Sequence, residues 1–159
     1  MLCTSLRLLL KRRGLWSRLA DPCSFSSLPA SFLEELANSL PSHVGMSTNP
    51  YDLETHGRGE SYHPTAAPSA VVTPSCVADV VAIVRHCAQQ IIPIIPYGAG
   101  TSVEGHVCAL HGGISMDMAQ FNKIEFEESA DSLPDPIAKV GAGVTRKRLN
   151  EALRYEQYL

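Results

Sequence analysis

Cysteine is sparse in this 159-residue chain: Cys3, Cys23, Cys76, Cys87 and Cys108, none in a CxxC spacing. An odd number without close pairs argues against a disulfide framework or a zinc ribbon and fits a reducing interior compartment. Long hydrophobic runs are missing too. No stretch approaches the roughly 18 apolar residues that cross a bilayer, so no transmembrane segment is expected. Charge is modest, at 18% of residues with a net value of −3, and no basic patch is present, which speaks against a general nucleic-acid binder. With 45% hydrophobic residues the composition is globular, and the length suits one domain of the usual size, about 100–150 residues.

Acid is absent from residues 1–20, which carry Arg7, Lys11, Arg12, Arg13 and Arg18 among Leu6, Leu9, Leu10, Leu15 and Trp16. A basic, acid-free segment able to form an amphipathic helix reads as a mitochondrial presequence over residues 1–27, with a plain basic N-terminus as the alternative. Lys11-Arg12-Arg13 cuts the apolar run short and argues against a secretory signal. Residues 28–50 then form a helix and linker. In that stretch Ser31 is the expected N-cap, with Glu34 three residues on and Phe32, Leu33, Leu36 and Leu40 at helical spacing. The segment from Asn49 to Pro68 is rich in Gly, Pro and polar residues and reads as an ordered loop, with His56 and His63 as surface groups rather than metal ligands.

The core begins near Ala70. Ala70-Val71-Val72 is a short strand that Pro74 ends. A helix follows, with Ser75 as N-cap, Asp79 in its first turns, and Val77, Val80, Val81, Val84 and Ala88 as its core stripe. Cys76 and Cys87 read as small core residues. Ile91 to Ile95 reads as a buried strand, and Pro93 within it places it at an edge or leaves it lightly paired. Strand, helix, strand predicts a parallel crossover.

A glycine-rich run, "YGAGTSVEGH" over residues 97–106, leaves the C-terminal end of that strand, where ligands of α/β units commonly sit. It is neither of the familiar nucleotide loops. Val103 stands where GxGxxG needs its third glycine, and no Lys-Ser or Lys-Thr follows Gly105. What remains is a compact run in which glycines free the backbone to turn N–H groups inward, beside the hydroxyls of Thr101 and Ser102. Such a run suits a diphosphate, and it also suits a structural hairpin turn. Glu104 would repel a phosphate and is expected to point away. His106, Cys108 and His111 crowd too closely along one turn to converge on a metal, and no metal site is expected.

Three motifs occur in order: "IIPYGAGTSVEGH", "HGGISMDMAQFNKI" and "KVGAGVTRKRLNEALR". Together they resemble the first half of the FAD-binding domain in the vanillyl-alcohol-oxidase and p-cresol-methylhydroxylase class of flavoproteins. Within that class they are similar to the family of D-lactate dehydrogenase (cytochrome) and glycolate oxidase. The resemblance covers roughly residues 51–159 and implies an α+β fold. It would be a PCMH-type FAD-binding domain, truncated, with a first subdomain of short parallel strands and helices and the start of a second, antiparallel one. FAD is the implied cofactor. Carried over, Pro96, Tyr97, Gly98, Ala99, Gly100, Thr101 and Ser102 form the diphosphate wall, and Gly105 and His106 close the turn. Gly143 is implied as a further cofactor contact, although Ala142 stands where the family carries proline.

Other segments agree with that placement. Gly113 to Met118 alternates Ile114, Met116 and Met118 against Ser115 and Asp117, the period of a half-buried strand. Lys123–Phe126 and Ile137–Val140 flank an acidic turn as a hairpin, and Thr145 caps a helix with Leu149 and Leu153 on its inner face. The implied activity is oxidation of a D-2-hydroxy acid, D-lactate first, with cytochrome c as electron acceptor in the mitochondrion. Glycolate and 2-hydroxyglutarate are alternative substrates, and a non-enzymatic truncated product is the alternative to an enzyme. The family's substrate cap and catalytic groups are expected beyond Leu159, so no catalytic residue is nominated.

Overall fold

The computed structural model describes residues 28–127 and 137–155. The leader expected over residues 1–27 and the acidic turn of the hairpin lie outside them. The elements in order are α1 (Ala30–Ser39), β1 (Gly45–Ser47), α2 (Pro50–Gly57), β2 (Ala70–Thr73), α3 (Val77–Gln90), β3 (Ile94–Tyr97), β4 (Ile114–Asp117), β5 (Ile124–Glu127), β6 (Ile137–Val140) and α4 (Arg146–Tyr155). They build a four-stranded sheet of order β1-β2-β4-β3 and a two-stranded sheet, β5-β6. β2 and β3 both run parallel to β4, β1 is antiparallel to β2, and β5 pairs antiparallel with β6. This is the expected α+β arrangement, a parallel unit followed by an antiparallel one. β3 is an edge strand as expected, although Pro93 lies just before it and Pro96 is the proline within it.

One face of the larger sheet carries the core. Ala70 and Val72 of β2 and Ile114 and Met116 of β4 share that face by their spacing of two, and they pack with Phe32 and Leu36 of α1 and Ile83 and Cys87 of α3. Full burial of a side chain such as Ile83 contributes about 1.5–3 kcal/mol. Ser115, on the other face of β4, is buried as well. The alternation expected of a half-buried strand is therefore replaced by burial on both sides.

Several local expectations are corrected. α1 starts after Pro29 without a side-chain cap, so Ser31 sits inside its first turn. α2 occupies what composition marked as loop. Asn49 accepts a hydrogen bond from the Tyr51 N–H at 3.0 Å, and Pro50 takes the first helical position, where its missing N–H costs nothing. The stripe of α3 is turned: Val77 is 70% and Val84 43% exposed, Val81 and Ala88 are exposed, and Val80 is half-buried, whereas Ile83 and Cys87 are fully covered. Cys76, exposed, is the N-cap in place of Ser75.

Asp79 lies on the covered side of α3 with Ile83 and Cys87. Its carboxylate accepts from the Ser75 N–H at 3.0 Å, the Ser75 hydroxyl at 3.1 Å and the Cys76 N–H at 3.1 Å, and meets His43 Nε2 at 3.1 Å. The Ser75 N–H foremost, aided by Cys76 and His43 and opposed by burial, holds the carboxyl far below the usual carboxylate range. A lowered folded-state pKa gives stability that is full above about pH 4 and lost as the pH falls. α3 closes at Ile91, whose φ of 58° is left-handed, so the strand begins at Ile94 rather than Ile91.

Candidate cofactor site

β3 ends at Tyr97, and the chain leaves it through the glycine run. β3 and β4 are held together at that point by the Met118 N–H donating to the Tyr97 carbonyl at 2.9 Å. Beyond it, Gly98, Ala99 and Thr101 are exposed, and Gly100 and Ser102 are half-buried. Among the described residues no backbone carbonyl accepts a hydrogen bond from the N–H groups of Gly98 to Ser102. Five consecutive N–H groups at the end of a parallel strand therefore have no backbone acceptor among the described residues and are open to an external one. Gly100 has φ +68°, a conformation that β-branched residues resist, and a Cβ there would come within 2.5 Å of the Tyr97 hydroxyl.

The turn closes on itself further along. The Cys108 N–H donates to the Gly105 carbonyl at 3.0 Å, and Gly105, at φ +70°, lies against the His63 ring. Ser102 Oγ accepts from the Glu104 N–H at 3.3 Å and lies 3.1 Å from Nδ1 of the exposed His106. The Glu104 side chain is exposed. Pro96 is in β3, facing solvent. Gly143, the remaining expected contact, is in the turn before α4, where its N–H donates to the Phe121 carbonyl at 2.9 Å and its α-carbon abuts the Met118 carbonyl. Through Met118 the second sheet is thus brought to the root of the loop. Thr145 caps α4 as expected, accepting from the Arg148 N–H at 3.3 Å, while Leu149 and Leu153 are only half-buried.

Sequence reasoning missed the floor of the site. His56, taken for a surface group, has a side chain only 13% exposed. Its Nδ1 lies 2.8 Å from the Asp52 carbonyl, its Nε2 3.5 Å from Asp117 Oδ2, and its ring centroid 4.2 Å from that of Tyr97. Burial, reinforced by the carboxylates of Asp117 and Glu60, raises the Tyr97 phenol above its ordinary pKa. Beside this shelf a cavity of about 550 Å³ runs between Arg58, Glu60 and His63 on one side and Tyr97, Ala99 and Gly100 on the other. The signal for His56 was its place about two turns beyond an Asn-Pro helix start, legible only once α2 is recognised. Among the described residues, His43, Cys76 and Asp79 are the group able to offer three metal-ligating atoms. There the carboxylate is already committed to capping α3.

Residues 68–159 match the family described as FAD binding domain. A probable mitochondrial D-lactate dehydrogenase of Danio rerio is 37% identical over 118 residues, 73% of this chain and 22% of that protein. The mitochondrial D-lactate dehydrogenase [cytochrome] of Arabidopsis thaliana is 31% identical over 137 residues, 84% of this chain and 23% of its own length. A D-2-hydroxyglutarate dehydrogenase of Xanthomonas citri is 29% identical over 120 residues, 75% of this chain and 24% of that one. The chain therefore spans less than a quarter of the length of these curated relatives. Among solved structures, a variant of Physcomitrella patens BBE-like 1 superposes with a TM-score of 0.63 at 26% identity, over 79% of this chain and 26% of that one. Substrate-bound p-cresol methylhydroxylase, at 18% identity, shares the fold with a TM-score of 0.57, over 82% and 26%.

Proposed function

The chain belongs to the FAD-binding-domain family, and from that premise we propose that it is part of a FAD-dependent dehydrogenase that oxidises D-lactate to pyruvate and passes the electrons to cytochrome c. The observation that carries this reading is the row of N–H groups from Gly98 to Ser102 at the end of β3, for which no backbone carbonyl among the described residues is an acceptor. A diphosphate needs such donors, and the absence of a Cβ at Gly98 and Gly100 lets it approach the backbone. Thr101 and Ser102 add hydroxyls. With His106 in its Nδ1–H tautomer, Ser102 Oγ accepts from both His106 and Glu104, which leaves the serine hydrogen free to point at the anion. Pro96, Tyr97 and Ala99 shape the wall, Gly105 and His106 close it, and Gly143 brings the second sheet against it.

Bound FAD supplies a hydride acceptor, the chemistry that links a hydroxy acid to an electron carrier. The base that takes the hydroxyl proton and the cation that holds the substrate carboxylate are not assigned among the described residues. D-lactate is favoured because two relatives above 30% identity carry that activity in their names, one with cytochrome as acceptor. The Xanthomonas relative supports D-2-hydroxyglutarate as the second reading. Location in the mitochondrion is supported by the basic residues 1–20, which hold no acid, and a reporter fused to residues 1–30 is expected to enter that organelle; diffuse cytosolic signal overturns it.

The test of the whole is direct. The purified protein, in a form that includes this chain, is expected to elute with a flavin absorbance band and to reduce ferricytochrome c with D-lactate. Flavin without D-lactate turnover, but with turnover of D-2-hydroxyglutarate or glycolate, moves the substrate and keeps the cofactor. A folded protein with no flavin removes both.

A further inference from the structure

His56 is set between two acceptors. The Asp52 carbonyl at 2.8 Å from Nδ1 can only accept, and so can the ionised Asp117 carboxylate facing Nε2 at 3.5 Å. A neutral imidazole satisfies one of them and turns a lone pair toward the other. An imidazolium satisfies both. The ring it holds lies against Tyr97, at 4.2 Å between centroids, and a cation there is attracted to the aromatic face. Tyr97 in turn carries the left-handed turn of the loop, its hydroxyl lying under the α-carbon of Gly100.

We propose that His56, as an imidazolium clamped between Asp52 and Asp117, is the positioning residue of the diphosphate loop: it fixes Tyr97, Tyr97 fixes the Gly100 turn, and loss of its proton loosens the cradle. This rests on the FAD reading above for its ligand, though not for its geometry. The charged or titratable groups around it are Asp117 from β4, Tyr97 from β3, and Asp52 on its own helix, whose carboxylate accepts the Ser47 hydroxyl of β1. Glu60 and Arg58 line the cavity on the other side of Tyr97.

Two readouts test it on the chain, one without flavin. The ultraviolet signal of Tyr97, isolated as the difference between wild type and Tyr97→Phe, is followed without FAD across about pH 5 to 8, where imidazoles change charge and the phenol stays protonated. FAD affinity is followed over the same range by flavin fluorescence. The wild type is expected to show one step in the tyrosine signal and a fall in affinity of about two- to fivefold as pH rises, the size of an imidazolium–phenol contact. His56→Phe keeps a ring against Tyr97 and carries no proton, so its affinity is expected to be flat across the range; His56→Gln is expected to lose the step as well. A wild-type tyrosine signal with no step, or a step that persists unchanged in both variants, overturns the proposal. A tyrosine step that depends on His56, in a protein that binds no FAD at any pH, leaves the positioning intact and overturns the flavin reading instead.

Discussion

The tripeptide Gly-Ala-Gly occurs twice, at residues 98–100 and 141–143, and the two copies have opposite surroundings. At the first, a Cβ on Gly98 meets nothing within 4 Å, one on Gly100 meets the end of a tyrosine side chain, and no backbone carbonyl among the described residues accepts from the three N–H groups. At the second, a Cβ on Gly141 comes within 2.2 Å of the Phe121 carbonyl and one on Gly143 within 2.2 Å of the Met118 carbonyl. There the N–H groups of Gly141 and Gly143 donate to Lys123 and Phe121, each at 2.9 Å. One copy uses glycine to keep a donor surface open; the other uses it to let two backbones touch. Identical residues thus leave their N–H groups without backbone acceptors in one place and pack backbone against backbone in the other, and their hydrogen-bond partners tell them apart.

Substitution separates the two copies. The largest effect is expected at the packed one. Gly143→Val sets a side chain against a carbonyl that cannot swing away, and overpacking of this kind costs at least about 1–3 kcal/mol, so the thermal midpoint falls clearly. An unchanged melting curve breaks the comparison. Gly100→Val comes next in severity and acts on binding. The left-handed φ alone costs about 1–2 kcal/mol, and the new methyl groups displace Tyr97 and block the approach to the donors. Absorbance of the purified variant is expected to show no retained flavin while circular dichroism shows the fold largely intact. Stoichiometric flavin in that variant makes the loop a structural turn.

A smaller loss is expected from Ser102→Ala. It removes one hydrogen bond to a charged group, about 1.5–3 kcal/mol, or about ten- to a hundredfold in FAD affinity by titration. Gly98→Ala closes the series: with open space around the new methyl group, stability is expected to stay within about 0.5 kcal/mol by denaturant unfolding. A drop as large as that of Gly143→Val erases the distinction between the copies.

Much of the fold was legible from residue spacing because its signals are local. β2, the β5-β6 pairing, the Thr145 cap and the edge position of β3 follow from β-branched runs, a turn between two strands, a hydroxyl before a helix, and a proline. Three things were not legible. α2 hid because Asn-Pro opens helices as readily as it ends them. The register of α3 was misjudged because Val77, Val81 and Val84 satisfy a helical period as well as Ile83 and Cys87 do, and which face is covered depends on where α1 lies. Ile91 resembled the start of a strand because no glycine marks the left-handed cap it forms.

By itself the sequence determined the class of the molecule and the chemistry of its loop: glycines and hydroxyls after a strand offer backbone donors, and the ordered motifs name the cofactor family. Only the tertiary structure decided which Gly-Ala-Gly faces outward and what stands beneath it. His56, Tyr97 and Asp117 come from a helix and two strands, the first and last of them 61 positions apart in sequence, and nothing in local propensity links them. Their meeting is set by the order of strands in the sheet, which lays β4 beside β3 and leaves α2 at the ends of both, and contact across such a span is a property of topology rather than of any window of sequence.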